Sequence, residues 1–306
     1  MTIDLRAKYL GCMVGSALGD AIGELAFLYP QKNRLISILD RALEFRYTDD
    51  TAMAIGLAES IIKHGRIDRQ QLGKTFKENY EREPWRAYAS GPPTIFSLVQ
   101  DLGITYTEAA RSLFGGSGSL GNGAAMRIAP VGLFFYKSRD LYKEASAEVT
   151  HAHPVGMDGA AVQAMAVALA VKLDPRKAFP KGSFIKALMD FARTPEIQNK
   201  MKTVQMLINE SIPPDKAAEM LGQTVAVHES MPFAIYCFLR YPGSFKKCLF
   251  CAVLNGGDRD TLGAMACAIS GAYLGIEAIP QAWQQKLERR IDIENLALEL
   301  FKTKNS

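Results

Sequence analysis

Two segments of this chain are apolar on nearly every face when wound at helical spacing, residues 155–171 and residues 262–274. A helix that is apolar all round belongs in the interior. Both segments are rich in Ala, with Gly, Cys and Ser in the second, and small side chains let neighbouring helices approach closely. They are therefore expected at the centre of a helical domain. The rest of the sequence supports this. Over residues 4–22, Leu5, Tyr9, Leu10, Met13, Val14, Ala17 and Leu18 share one broad helical face. Residues 51–63 repeat the pattern with Glu59 and Lys63 outward, and 68–80 read as a charged surface helix opening at Asp68. Thr107, with Glu108 after it, opens a helix to 114; further helices are read over 138–150 and, after Pro280, over 279–302. Period-two alternation is nearly absent, no linker divides the chain, and no fixed-period repeat occurs. The expected architecture is all-α, a single compact multi-helix domain over residues 1–306.

Charge and composition narrow the function. The 36 basic and 32 acidic side chains leave +4, with no Lys/Arg run, so no nucleic-acid partner is expected. The longest apolar stretch, 262–276, falls short of the roughly 20 residues that span a bilayer, so no membrane partner is expected either. Asp4, Arg6 and Lys8 interrupt any signal-like core at the start. Five scattered cysteines suggest reduced thiols and a cytoplasmic location. Cys248-x-x-Cys251 has no second pair to complete a four-thiolate site and reads as packing.

Chemistry concentrates in two acidic turns. Thr48-Asp49-Asp50-Thr51 and Asp258-Arg259-Asp260-Thr261 each stand at the start of a helix. Taken singly, either reads as helix capping, since Asp and Thr are good N-caps and acids suit a first turn. Taken together, four carboxylates near a buried core would repel unless a cation neutralises them. Hard oxygen ligands suit Mg²⁺, Mn²⁺ or Ca²⁺ rather than zinc, and four carboxylates suit two ions. Sequence spacing does not bring the turns together.

Between them lies a glycine loop, residues 115–123, with five glycines in nine residues. Such loops let backbone N–H groups approach anions, and the apolar 124–135 segment after it reads as a helix whose start would favour phosphate. No GK[ST] follows, so it is not a Walker A loop, and a flexible connection is the plain alternative. His151 and His153 lack HExxH spacing and have no cysteine near, which argues against zinc. His64 and His228 read as surface or packing residues.

In order, GCMVGSALGDAIG (11–23), TDDTAMA (48–54), GNGAAMRIAPVGL (121–133), THAHP (150–154) and NGGDRDTLGAMACAISGAYLG (255–275) resemble the ADP-ribosylglycohydrolase family. The resemblance is collinear from residue 11 to about 283. It implies an all-α fold of that type, and an enzyme that cleaves the glycosidic bond between ADP-ribose and a protein side chain or small acceptor, with arginine favoured. It further implies two Mg²⁺ ions, with Mn²⁺ as a substitute, held by Thr48, Asp49, Asp50, Asp258, Asp260 and Thr261. ADP-ribose would lie against Gly91, Gly118, Ser119, Leu120, Gly121, Asn122, Gly123 and His151, with His153, Met126 and Arg127 structural. The substrate partner is an ADP-ribosylated protein or conjugate. The sequence departs from the family at one point. The glutamate usual about four residues beyond the GDxxG glycine is Phe27 here, and the only nearby acid is Glu24. Glu24 either enters the cleft or is a surface residue. Without it, Asp50 or Asp260 would orient the water, and Asp20 reads as a buried structural acid. The departure motivates the alternative of a non-catalytic ADP-ribose- or nucleotide-binding protein, or a structural one, on the same scaffold.

Overall fold

The computed structural model describes residues 4–138, 140, 141 and 147–305. The main helices around the site are α1 (Leu5–Leu28), α2 (Asp49–His64), α3 (Gly91–Leu102), α4 (Pro154–Ala170), α5 (Val227–Arg240) and α6 (Arg259–Leu274). Further helices close the surface, and one continuous apolar cluster fills the interior. Among the described residues there is no strand, only two isolated bridges, Phe45 with Leu287 and Gly121 with Ala226.

The two segments expected at the centre are α4 and α6, and both are almost wholly buried. The partner of α6 is α1. Glycines 11, 15, 19 and 23 recur every fourth residue of α1, and Gly263, Cys267, Gly271 and Gly275 do so along α6 and its C-cap. Fourfold spacing puts each set on one helical face. A Cβ on Gly11 would lie 2.6 Å from the carbonyl oxygen of Gly271, and one on Gly15 would lie 2.8 Å from that of Cys267. The two backbones therefore touch from Gly11 to Gly23. By length and composition α1 is the one described helix that could cross a membrane, yet 78% of that stretch is buried inside the protein, as in a core helix.

Helix starts follow their caps. Asp4 accepts from the Ala7 amide (3.1 Å) and opens α1; Asp68 accepts from Gln70 and Gln71 and opens Arg69–Arg82. Three expectations are corrected. The helix expected from Thr107 begins at Tyr106 and ends at Ser112, because Thr105 and Glu108 form a reciprocal capping box. The helix expected over 279–302 is broken into Gln281–Gln284 and Arg290–Asn305. The Phe45 amide donates to the Lys286 carbonyl (2.7 Å) and the Glu288 amide to the Phe45 carbonyl (3.0 Å), which withdraws that carbonyl and that amide from helical pairing. The helix expected over 124–135 is two short ones, Gly123–Met126 and Ala129–Phe134, parted at Arg127. Of the helix expected over 138–150, residues 139 and 142–146 lie outside the described residues, and its described end is a 3-10 turn, Ala147–Val149.

Candidate active site

The two acidic turns meet because both are fastened to α1. Asp20, fully buried, sits between the glycine contacts and accepts four groups from the first turn: the Thr48 amide (3.1 Å) and hydroxyl (2.9 Å), and the Thr51 amide (3.0 Å) and hydroxyl (2.5 Å). It is the structural acid the sequence suggested. Burial lifts its carboxyl to about 6, opposed by those four donors. The second turn is held by close approach: a Cβ on Gly23 would lie 2.5 Å from the Cα of Asp260. Across the gap, the Thr261 hydroxyl donates to Asp50 Oδ2 at 3.3 Å.

Capping accounts for part of this arrangement. Thr48 is the N-cap of α2 and accepts from the Asp50 amide at 3.4 Å. Asp258, at the N-cap of α6, makes no capping bond; its Oδ2 accepts from Asn122 Nδ2 at 2.7 Å instead. Burial and the neighbouring carboxylates push Asp49 and Asp260 up to about 8 and Asp50 well above the usual range.

The residues fit a divalent ion by donor chemistry. Asp50 Oδ1 is buried without a hydrogen-bond partner, an acceptor without a donor, and the turn hydroxyls and carboxylates are all hard oxygens. Among the described residues no three His, Cys, Asp or Glu side chains already converge as a closed cage.

A cavity of about 660 Å³ opens above the acids. Asp49, Asp50, Asp258, Asp260 and Thr261 line one end, and Gly91, residues 117–123 and His151 are among the residues that line the remainder. So the structure gathers almost all the expected ligand-facing residues at one cavity; Thr48 lies behind, buried against Asp20. Glu24 does not line the cavity. α1 runs as regular helix past it to Leu28, and the side chain is exposed.

The glycine loop is shaped by its neighbours. Gly118 has φ 71° and lies so close to the 152–153 backbone that a Cβ would come within 2.7 Å of the His153 amide nitrogen. The helix after the loop is a single turn, so the helix-start field expected there is small. His153 Nδ1 accepts from the Val155 amide and caps α4, the structural role expected of it. Arg127, 1% exposed, donates to the Thr150 hydroxyl at 2.7 Å, and its guanidinium lies 4.6 Å over the Phe76 ring.

Some lining residues gave no sequence signal. Phe114, 70% exposed with φ 52°, stands at the lip next to the loop. The 223–227 segment clamps the loop to the second acidic turn. Val225 O accepts from the Asn122 amide (2.8 Å), and Gln223 O accepts from the Asp258 amide (2.9 Å). Both clamp bonds use main-chain atoms, which any sequence could supply.

Comparison with known proteins places these features. A model of the ADP-ribosylglycohydrolase family matches residues 1–306. The chain is 31% identical over 343 aligned residues to ADP-ribosylhydrolase ARH3 of Homo sapiens, covering 97% of this chain and 93% of the human one. It is also 31% identical to an uncharacterized protein of Archaeoglobus fulgidus, with 97% of each covered. Among solved structures, one titled an ADP-ribosylglycohydrolase-related protein complex superposes with TM-score 0.75 at 25% identity, over 98% of this chain and 99% of that one.

Proposed function

The chain belongs to the ADP-ribosylglycohydrolase family and is a glycohydrolase, and on that premise we propose that it releases ADP-ribose from modified protein side chains in a Mg²⁺-dependent reaction. The observation that carries this reading is the meeting of two remote acidic turns on α1, at the end of a cavity walled by a glycine loop.

Thr48, Asp49, Asp50, Asp258, Asp260 and Thr261 would hold two Mg²⁺ ions, with Mn²⁺ as a substitute. Such a pair supplies positive charge at the distal ribose when bound. The chain's own residues do the remaining work. The Ser119, Leu120 and Gly123 amides bind the diphosphate, those of Gly118, Gly121 and Asn122 being spent on Leu113 O, Ser119 Oγ and Val225 O, and His151 lies beside it. The exposed ring of Phe114 offers a face on which adenine stacks. Asp260 Oδ1 accepts from the Thr261 amide at 2.8 Å, which leaves Oδ2 to take the proton of the attacking water. Asp50, held by the Thr261 hydroxyl, orients that water. Water adds to the anomeric carbon, the glycosidic bond breaks, and the acceptor atom leaves with the proton that Asp260 took from the water.

Incubation of an ADP-ribosylated protein with the chain and Mg²⁺ should release ADP-ribose. EDTA, or Asp49→Ala with Asp260→Ala, should stop release; full activity in the double variant would end this mechanism. Arginine is the acceptor we favour, on the family resemblance of the sequence motifs alone. Release from a serine conjugate alone would overturn that preference and leave the hydrolase reading intact.

A further inference from the structure

Arg127 is buried beside the cavity, yet its side-chain polar contacts are a hydroxyl and a thioether rather than a carboxylate: Thr150 Oγ1 at 2.7 Å and Met53 Sδ at 3.7 Å. Thr150 Oγ1 in turn lies 2.8 Å from His151 Nδ1. Three buried side chains thus form a chain from a cation to an imidazole that lines the cavity.

The direction of each bond follows from what each group can do. A guanidinium only donates, so Thr150 Oγ1 accepts from Arg127. The hydroxyl then has one proton to place. If His151 Nδ1 carried a proton, it too would donate to Oγ1, and the hydroxyl proton would stay buried without an acceptor, a costly arrangement. If Nδ1 is bare, the hydroxyl donates to it and every group is satisfied. The ring proton then sits on Nε2. Nε2 is the edge turned to the glycine loop: a Cβ on Gly123 would come within 3.0 Å of it, and one on Gly121 within 3.4 Å.

We propose that Arg127 is a positioning residue that acts through Thr150 to hold His151 as the neutral, Nε2-protonated tautomer, so that the ring offers a hydrogen-bond donor to an acceptor-only oxygen of the ligand's diphosphate. The ligand half of this proposal rests on the functional reading above; the tautomer half does not. A phosphate oxygen can only accept, so the opposite tautomer would set a lone pair against it. Burial and the Arg127 charge also hold the imidazolium well below its usual range, to about 3, so the ring stays neutral through physiological pH. The backbone fixes the relay's place, since the Thr150 and His151 amides both donate to the Ala147 carbonyl, at 3.0 and 2.7 Å.

The test is ¹⁵N NMR of the imidazoles in the ligand-free full chain, with ADP-ribose binding measured by calorimetry. His151 should show a protonated Nε2 and a bare Nδ1, unchanged across about pH 5 to 8. Thr150→Val should shift the ring toward Nδ1 protonation and weaken ADP-ribose binding by about tenfold or more, and Thr150→Ser should restore both. Protonated Nδ1 in the wild-type chain, or an unchanged tautomer in Thr150→Val, overturns the relay. A shifted tautomer with unchanged ADP-ribose affinity overturns the donor role. A wild-type chain that shows the expected tautomer yet binds no ADP-ribose supports the relay and refutes the functional reading instead. If Thr150→Val does not fold, the same two readouts on Thr150→Ala decide the relay.

Discussion

Gly23→Ala sets two physical effects against each other. Helix propensity alone favours alanine inside α1 by about 1 kcal/mol. The packing opposes it. The new methyl would press on the Arg259 carbonyl oxygen and lie 2.5 Å from Asp260 Cα and 2.7 Å from the Arg259 carbonyl carbon. Ordinary contact begins at 3.4 Å, so the start of α6 must retreat by about 1 Å. All three neighbours are backbone atoms, and no side-chain rotation relieves the clash. Overpacking of this kind costs about 1–3 kcal/mol. A gap of 0.5–1 Å elsewhere along the pair would also forfeit roughly a quarter to a half of each opened contact. The expected net loss is about 2 kcal/mol, and it moves Asp260 with the turn. Displacement of about 1 Å at a reacting group can cost on the order of a hundredfold in rate. Urea unfolding followed by circular dichroism measures the first effect; ADP-ribose release and Mg²⁺ calorimetry measure the second. Gly182→Ala, where a Cβ meets nothing within 4 Å, is the control and should be neutral or slightly stabilising. Gly23→Ala as stable as the parent, with unaltered Mg²⁺ binding, would refute the account of how the turns are held.

Three further outcomes are expected. Phe114→Ala should weaken ADP-ribose binding by roughly 5- to 100-fold, the usual worth of one stacked base, with little change in unfolding midpoint because the ring is exposed; an unchanged Kd would remove the adenine from that lip. Glu24→Gln should leave turnover within about twofold, and Asp260→Asn should lower it at least about a hundredfold, since only the latter lines the cavity; the reverse order in a release assay would move the base to α1. Asp49 and Asp260 hold protons up to about 8 in the folded chain, against 3.8 ordinarily. A folded-state pKa raised above the unfolded one contributes stability at low pH that is lost as pH rises, here between about 4 and 8. Melting temperature in EDTA should therefore fall over that window, and added Mg²⁺ should offset the fall. A flat or rising profile, or no Mg²⁺ effect, would contradict the charge cluster.

What could be read in advance followed from patterns that physics makes local. Apolar surroundings placed α4 and α6 at the centre, and the TDDT and DRDT turns stand at the starts of buried helices as expected. The join between those turns was equally present in the sequence but written in a different residue. Gly11, Gly15, Gly19 and Gly23 mark a face of α1 that packs on the α6 backbone, a signal carried by small residues rather than by the large apolar side chains of residues 4–22. Other features had no local signature. The break at 286–288 depends on main-chain pairing with Phe45, more than two hundred residues away in sequence. Phe114 gains its place at the lip from the positive φ of its own turn, which the identity Phe does not announce.

The departure at Phe27 bears on how such a site is held. A cluster of carboxylates, several of them raised by burial and by one another, pushes its own walls apart. Side-chain contacts would give way under that repulsion by changing rotamer. A glycine face packed on backbone cannot, and neither can a buried Asp20 that accepts four donors from one turn. The rigidity of α1 is therefore what permits the acids to stay close. The same continuity carries α1 as unbroken helix through Glu24 to Leu28 and leaves Glu24 outside the cavity. A helix stiff enough to hold the acidic turns offers no hinge by which its last turns could deliver a carboxylate to the cleft. The proton of the attacking water then falls to the acids already gathered there.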